Sequence, residues 1–130
     1  IQRLDLGGWA AANDIVTTSK PISIRLIGID TPETYPELDS WGDEARSVLA
    51  EMIPEGSTVW VGTDAETWDR YDRRLFYLWS EDGRFVNLEL IRAGAADTLR
   101  IRPNVAHADL FAGVRDAADE DGRGMWGACG

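Results

Sequence analysis

Ile24-Arg25-Leu26-Ile27-Gly28-Ile29-Asp30-Thr31-Pro32-Glu33-Thr34 is the stretch that decides the reading of this chain. Its apolar residues predict a strand, and Pro32 ends it, because proline removes a ladder donor and restricts the residue before it. An arginine and two carboxylates therefore gather where the chain leaves the sheet. Loops held by a rigid scaffold are where chemistry concentrates. Asp30 and Glu33 offer hard oxygen ligands or a base, and Arg25 offers a planar, permanently charged fork that suits phosphate. The same residue types also make an ordinary strand end with solvated charges. Geometry adds a condition: five residues of strict alternation send Arg25 and Asp30 to opposite faces, about 16 Å apart. A shared site needs the strand to bend or stop before Asp30, and Gly28 is the place for it.

Working outward, residues 14–30 predict a hairpin: Asp14 to Thr18, a turn at Ser19-Lys20-Pro21, then Ile22 to Asp30. Thr58 to Thr63 is β-branched and alternates Val59 and Val61 with Trp60, and Leu75 to Trp79 forms a further strand before the Glu81-Asp82-Gly83 turn. A fifth strand falls near Arg3 to Leu6 or Leu99 to Ile101. Three helices interrupt the strands. Trp41, Ala45, Val48, Leu49, Met52 and Ile53 make one apolar stripe, with Ser40 and Asp43 as its capping pair. Asn87 is read as the cap of a short helix through Leu88, Leu90 and Ile91, and Leu110 to Ala118 forms the third. No repeat or linker divides residues 1–130, which predicts a single domain.

A second polar segment sets the function class. Trp68-Asp69-Arg70-Tyr71-Asp72-Arg73-Arg74-Leu75-Phe76-Tyr77-Leu78-Trp79 is a charged turn entering an aromatic strand. Together, "IRLIGIDTPET", "DRYDRRLFY", "FVNLELIRAG" and the ending "GRGMWGACG" resemble the staphylococcal-nuclease-like (thermonuclease) family, from about Asp14 to Trp126 and in the family's order. The resemblance implies an α+β fold: an OB-fold five-stranded β-barrel with three α-helices. It also implies a Ca²⁺-dependent endonuclease that hydrolyses phosphodiester bonds of DNA, with RNA as a further substrate and single strands preferred. Asp30 would bind Ca²⁺ through its carboxylate and Thr31 through its backbone carbonyl. Glu33 would position or deprotonate the attacking water, while Arg25 and Arg73 would hold and neutralise the phosphate.

Departures from the family pattern mark the rest of the site. The family's Asp-Gly-Asp-Thr run corresponds here to Ala12-Asn13-Asp14-Ile15-Val16, which makes Asp14 the further metal carboxylate and Asp5 the alternative. Tyrosines that contact nucleotide in the family are replaced by Arg100 and Arg102, read as substrate-binding or solvated cations. Asp72 stands where the family commonly has glycine, and aspartate tolerates that backbone. Tyr71 and Tyr77 are read as turn or core packing.

Charge opposes this reading. The formal net charge is −10, whereas nucleic-acid binders show a basic footprint. Twelve of the thirteen basic residues are arginine, grouped as Arg70/Arg73/Arg74 and Arg92/Arg100/Arg102, and acids such as Asp116, Asp119, Glu120 and Asp121 collect elsewhere. The competing class is a noncatalytic module of the same fold, binding single-stranded nucleic acid or a protein partner. The single histidine, His107, precedes a helix and reads as a packing residue, which argues against two-histidine zinc chemistry. The lone Cys129 excludes a disulfide within these residues. No apolar run approaches the ~20 residues of a membrane span. A monomer is expected, and the family resemblance with the non-Met start gives secretion or the cell envelope as the expected location.

Overall fold

The computed structural model describes the main chain of residues 2–11, 14–17, 23–31 and 41–128, and the side chains of residues 23–31 and 41–128. Strands β1 (Gln2–Ala11), β2 (Asp14–Thr17), β3 (Ile24–Leu26), β5 (Thr58–Gly62) and β6 (Arg74–Ser80) form one five-stranded sheet in the order β2-β1-β5-β6-β3. Strands β4 (Ile29–Asp30) and β7 (Asp97–Thr98) pair separately. Helices α1 (Gly42–Met52), α2 (Val86–Arg92), α3 (Ala108–Glu120) and α4 (Met125–Ala128) complete the architecture. The fold is α+β, as expected, with a fourth short helix at the end.

Alternation builds the sheet. In β5, Val59 and Val61 are buried while Trp60 faces outward, the pattern expected of a half-buried strand. β5 pairs antiparallel with β6, and β3 joins the other edge of β6 in parallel, setting Ile24 opposite Arg74, Arg25 opposite Leu75 and Leu26 opposite Phe76. Inward residues of these strands meet Leu49 of α1 and Ile53 just after it, Leu90 and Ile91 of α2, and Phe111 of α3 in one apolar core.

Four expectations need correcting. The 14–30 segment is not a simple hairpin: β2 hydrogen-bonds to β1, and the turn at residues 19–21 lies outside the described residues. The ladders among the described residues make an open sheet rather than a closed barrel, although its edge strands β2 and β3 come into contact. The fifth strand is β1, which contains Arg3 to Leu6, while Leu99 to Ile101 follows the short β7. At α1, the residue before the helix is Trp41 in a left-handed conformation (φ 70°) with no side-chain cap bond, and Ser40 lies outside the described residues. Asp43 still occupies the first turn, where the helix dipole favours a negative charge.

Asn87 is the fourth correction. It sits inside α2, fully buried, and caps nothing. Its carboxamide accepts from the Leu78 N–H at 2.9 Å and donates to the Ile27 carbonyl at 2.9 Å, with a longer contact to Phe76. One side chain therefore stitches α2 to β6 and to the turn after β3. Truncation would leave a buried donor and acceptor without partners, costing about 1–3 kcal/mol each. Asn87→Ala should lower unfolding stability by about 2–4 kcal/mol, read by urea denaturation. A loss below 0.5 kcal/mol would contradict the stitching role, that being about the scatter of an ordinary surface substitution.

Candidate active site

The strand carrying Arg25 stops at Leu26, turns through Ile27 and Gly28, and resumes as β4 at Ile29. Gly28 has φ +83°, and a Cβ there would lie 2.6 Å from the Phe111 ring. Both its conformation and its neighbour demand glycine. This break answers the alternation problem. The Arg25 Nη2 donates to the Ile29 carbonyl at 2.8 Å, so the guanidinium reaches over the turn to the residue beside Asp30.

Arg73 is aimed by a different device. Asp69 Oδ1 accepts from the backbone N–H of Tyr71 at 2.8 Å and of Arg73 at 3.0 Å, and its Oδ2 accepts from Arg73 Nε at 2.7 Å. The turn closes further as the Asp69 N–H donates to the Arg73 carbonyl at 3.0 Å. Asp72 takes φ 61° at the apex, the left-handed conformation expected where the family commonly has glycine. The terminal nitrogens of Arg73 make no hydrogen bond among the described residues. Burial alone would raise the Asp69 carboxyl, but the two backbone donors and Arg73 outweigh it and hold it below its ordinary value of 3.8. A lowered folded-state value means this stabilisation is complete above the unfolded value and is lost as pH falls through the folded one.

The two arginines converge. Arg25, Gly28, Asp69, Arg70, Tyr71 and Arg73 line one cleft of 440 Å³ together with Leu99, Ile101 and Asn104. Asn104 is fixed in the lining: its Oδ1 accepts from the Glu66 N–H at 2.7 Å and its Nδ2 donates to the Glu66 carbonyl at 2.8 Å. Nearby, the Tyr77 hydroxyl donates to Asp64 Oδ2 at 2.6 Å, and Asp64 also accepts from the Ala65 and Ala106 N–H groups. Burial and the Asp64 carboxylate push the Tyr77 hydroxyl well above its ordinary range, so it stays protonated and structural. Asp69, Asn104 and Asp64 had no role in the sequence reading. The Asp69 turn could have been found from its Asp-x-x-x-Arg spacing, but the Asn104–Glu66 pairing spans 38 residues and leaves no local signal.

The other expected residues sort as follows. Asp30 is exposed at the end of β4, its carboxylate makes no hydrogen bond or ion pair among the described residues, and Thr31 beside it is buried. Asp14 begins β2 and Asp5 lies in β1, both described by main chain only, and Glu33 lies outside the described residues. Arg100 is exposed and pairs with Asp109 at 3.6 Å, and exposed Arg102 precedes Pro103; the cleft wall between them is Ile101. Arg74 turns away from the cleft, its guanidinium stacked between the rings of Trp68 and Phe76. Tyr77 is buried as expected, whereas Tyr71 is 64% exposed, with Arg70 and Arg73 against its ring. His107 precedes α3 and packs among the rings of Tyr77, Phe85 and Phe111, confirming a packing role. Cys129 lies outside the described residues.

A family profile described as "Staphylococcal nuclease homologue" matches residues 23–128, which contain the whole cleft. The chain belongs to the staphylococcal nuclease family. It is 34% identical over 113 residues to "Endonuclease YhcR" of Bacillus subtilis (strain 168), covering 79% of this chain and 9% of that protein. An "Uncharacterized endonuclease" of Escherichia coli O157:H7 is 36% identical over 84 residues, 64% of this chain and 50% of the relative. "Thermonuclease" of Staphylococcus hyicus is 28% identical over 110 residues, 82% of this chain and 64% of the relative. The chain thus spans less than two thirds of the length of each of these relatives. Among its described residues, no helix is long and apolar enough to cross a membrane.

Proposed function

We propose that this nuclease-family chain is a Ca²⁺-dependent endonuclease hydrolysing phosphodiester bonds of DNA, and of RNA as a further substrate, with single strands preferred. The observation that carries the reading is the pair of arginines lining one cleft, each held by a bond to its own turn. A phosphate accepts paired guanidinium donors well, and two of them neutralise charge growing on its oxygens. The relatives named as endonucleases and thermonuclease support the same class.

The metal is tested by donor chemistry. Asp30 offers an exposed carboxylate with no partner among the described residues, and Thr31 an adjacent main-chain carbonyl. These are hard oxygen donors of the kind calcium accepts in loose geometry. No group of three or more His, Cys, Asp or Glu that could hold a metal ion occurs among the described residues, so the proposed site draws on a carboxylate whose side chain is not described. Asp14 is the proposed supplier, with Asp5 as the alternative. Calcium, when bound, would polarise the phosphate and neutralise part of its charge.

The chain's own residues do the rest. Glu33 orients the attacking water and accepts its proton at the carboxylate. Arg25 and Arg73 hold the phosphate oxygens and stabilise the extra charge as the water adds and the leaving oxygen departs. Arg100 and Arg102, exposed on either side of the cleft residue Ile101, contribute to binding the flanking backbone. The OB-fold barrel that the family resemblance implies is proposed for this sheet, whose edge strands β2 and β3 are in contact.

Cleavage of single-stranded DNA should appear with added Ca²⁺ and fall to background in chelator, measured on a labelled oligonucleotide. Equal cleavage in both conditions would exclude the metal-assisted mechanism. The net charge of −10 favours a second reading, a noncatalytic module binding single-stranded nucleic acid or a protein partner. Total inactivity in Ca²⁺ with retained oligonucleotide binding would establish it.

A further inference from the structure

A second acidic residue stands directly across from Asp30. Asp30 and Asp97 are opposed partners in the antiparallel β4–β7 pair. Opposed residues place their side chains on one face, and like charges so placed repel. Each of these strands has only two residues, so the pair has few bonds with which to resist that repulsion.

Asp97 is countered from α3. Arg115 Nε donates to Asp97 Oδ1 at 3.1 Å, and the Thr98 N–H reaches the same oxygen at 2.7 Å. Arg115 is itself held in place. Its Nη1 contacts Asp116 at 3.4 Å and Asp119 at 3.2 Å, and its guanidinium lies 4.4 Å from the Trp126 ring centroid. Trp126 belongs to α4, which docks by main-chain contact: Met125 N–H donates to the Gly94 carbonyl at 2.9 Å. A Cβ at Gly94 would lie 2.1 Å from the Arg123 carbonyl oxygen, so the approach requires glycine. A continuous chain of contacts runs from α4 through Arg115 and Asp97 to the backbone of Asp30.

We propose that Arg115 is a positioning residue for the cation-binding end of the site. By pairing with Asp97 it lets a second carboxylate face Asp30 without driving β4 and β7 apart, and so sets how strongly Asp30 attracts a divalent cation. The cation half of this inference rests on the calcium role proposed for Asp30; the positioning half does not.

A stability cycle without metal tests the positioning half. Arg115→Met keeps a stem against Trp126 and removes the charge. With Arg115 present, Asp97→Asn loses an ion pair and should lower Tm. In the Arg115→Met background the same change removes a like charge and should raise Tm, and Asp30→Asn should raise it similarly. This reversal of sign distinguishes a charge-balancing role from a merely structural one. Asp97→Asn lowering Tm, or leaving it unchanged, in both backgrounds would overturn the proposal.

Calcium titration by calorimetry tests the cation half. Arg115→Met should bind Ca²⁺ about three- to fivefold more tightly, since it leaves Asp97 uncompensated, and Asp97→Asn alone should bind it more weakly. Unchanged affinity in both variants would overturn the cation half. A wild-type chain that binds no Ca²⁺ would overturn it together with the calcium mechanism, and the Tm cycle would still decide the coupling of Arg115, Asp97 and Asp30.

Discussion

Arg73→Lys should reduce phosphodiester cleavage by about 10²–10³-fold while the protein remains folded. Arg73 reaches the cleft on a turn closed by Asp69, whose carboxylate takes Nε and leaves the terminal nitrogens to substrate. Lysine keeps the charge but is a single point donor on a flexible stem. It cannot hold Asp69 with one nitrogen and a phosphate with two others. Arg25→Lys should fall by a similar factor for a related reason, because its Nη2 is committed to the Ile29 carbonyl. Turnover and oligonucleotide affinity measured together give the check. A loss in kcat with modest change in KM marks stabilisation of the transition state. Near wild-type rates in both variants would make these arginines surface cations and remove the phosphate clamp.

The geometry behind that expectation was partly legible in the sequence. Gly28 was readable because a shared site for Arg25 and Asp30 demanded a break, and glycine supplies one; its φ of +83° is that break. Asp72 was readable for the same kind of reason, as a residue able to take the left-handed apex of a turn. These are local backbone constraints, and local constraints are written in short windows of sequence.

Asn87 shows where the reading fails. An asparagine before an apolar helical repeat looks like a cap, yet this side chain is buried and bonded across 60 residues to Ile27. Periodicity carries no information about partners at that distance. The parallel pairing of β3 with β6 is similarly invisible, although it alone brings the Arg25 strand alongside the one entered from the Arg73 turn. Arg74 was grouped with Arg70 and Arg73 by adjacency, but strand alternation sends it to the other face, against Trp68 and Phe76. Three neighbouring arginines thus divide between cleft and scaffold. That division also bears on the charge of −10: acidity of the whole chain does not describe a cleft whose lining holds three arginines.

Glu33→Gln separates catalysis from binding. In the proposed mechanism Glu33 would serve the attacking water, while the arginines and a bound metal would hold phosphate. The substitution preserves shape and removes the proton acceptor, so cleavage should fall by about 10²-fold or more, the usual worth of a positioned base. Affinity for a short single-stranded oligonucleotide in Ca²⁺ should stay level or tighten, because a negative charge leaves a site that receives an anion. Turnover and fluorescence anisotropy in one buffer read the two effects apart. Binding that collapsed along with cleavage would make Glu33 a structural residue, with the water oriented by another group. If neither quantity changed, the hydrolytic centre would lie away from the Asp30 turn. The arginine-lined cleft would then serve to hold nucleic acid, leaving the binding module as the better account of this chain.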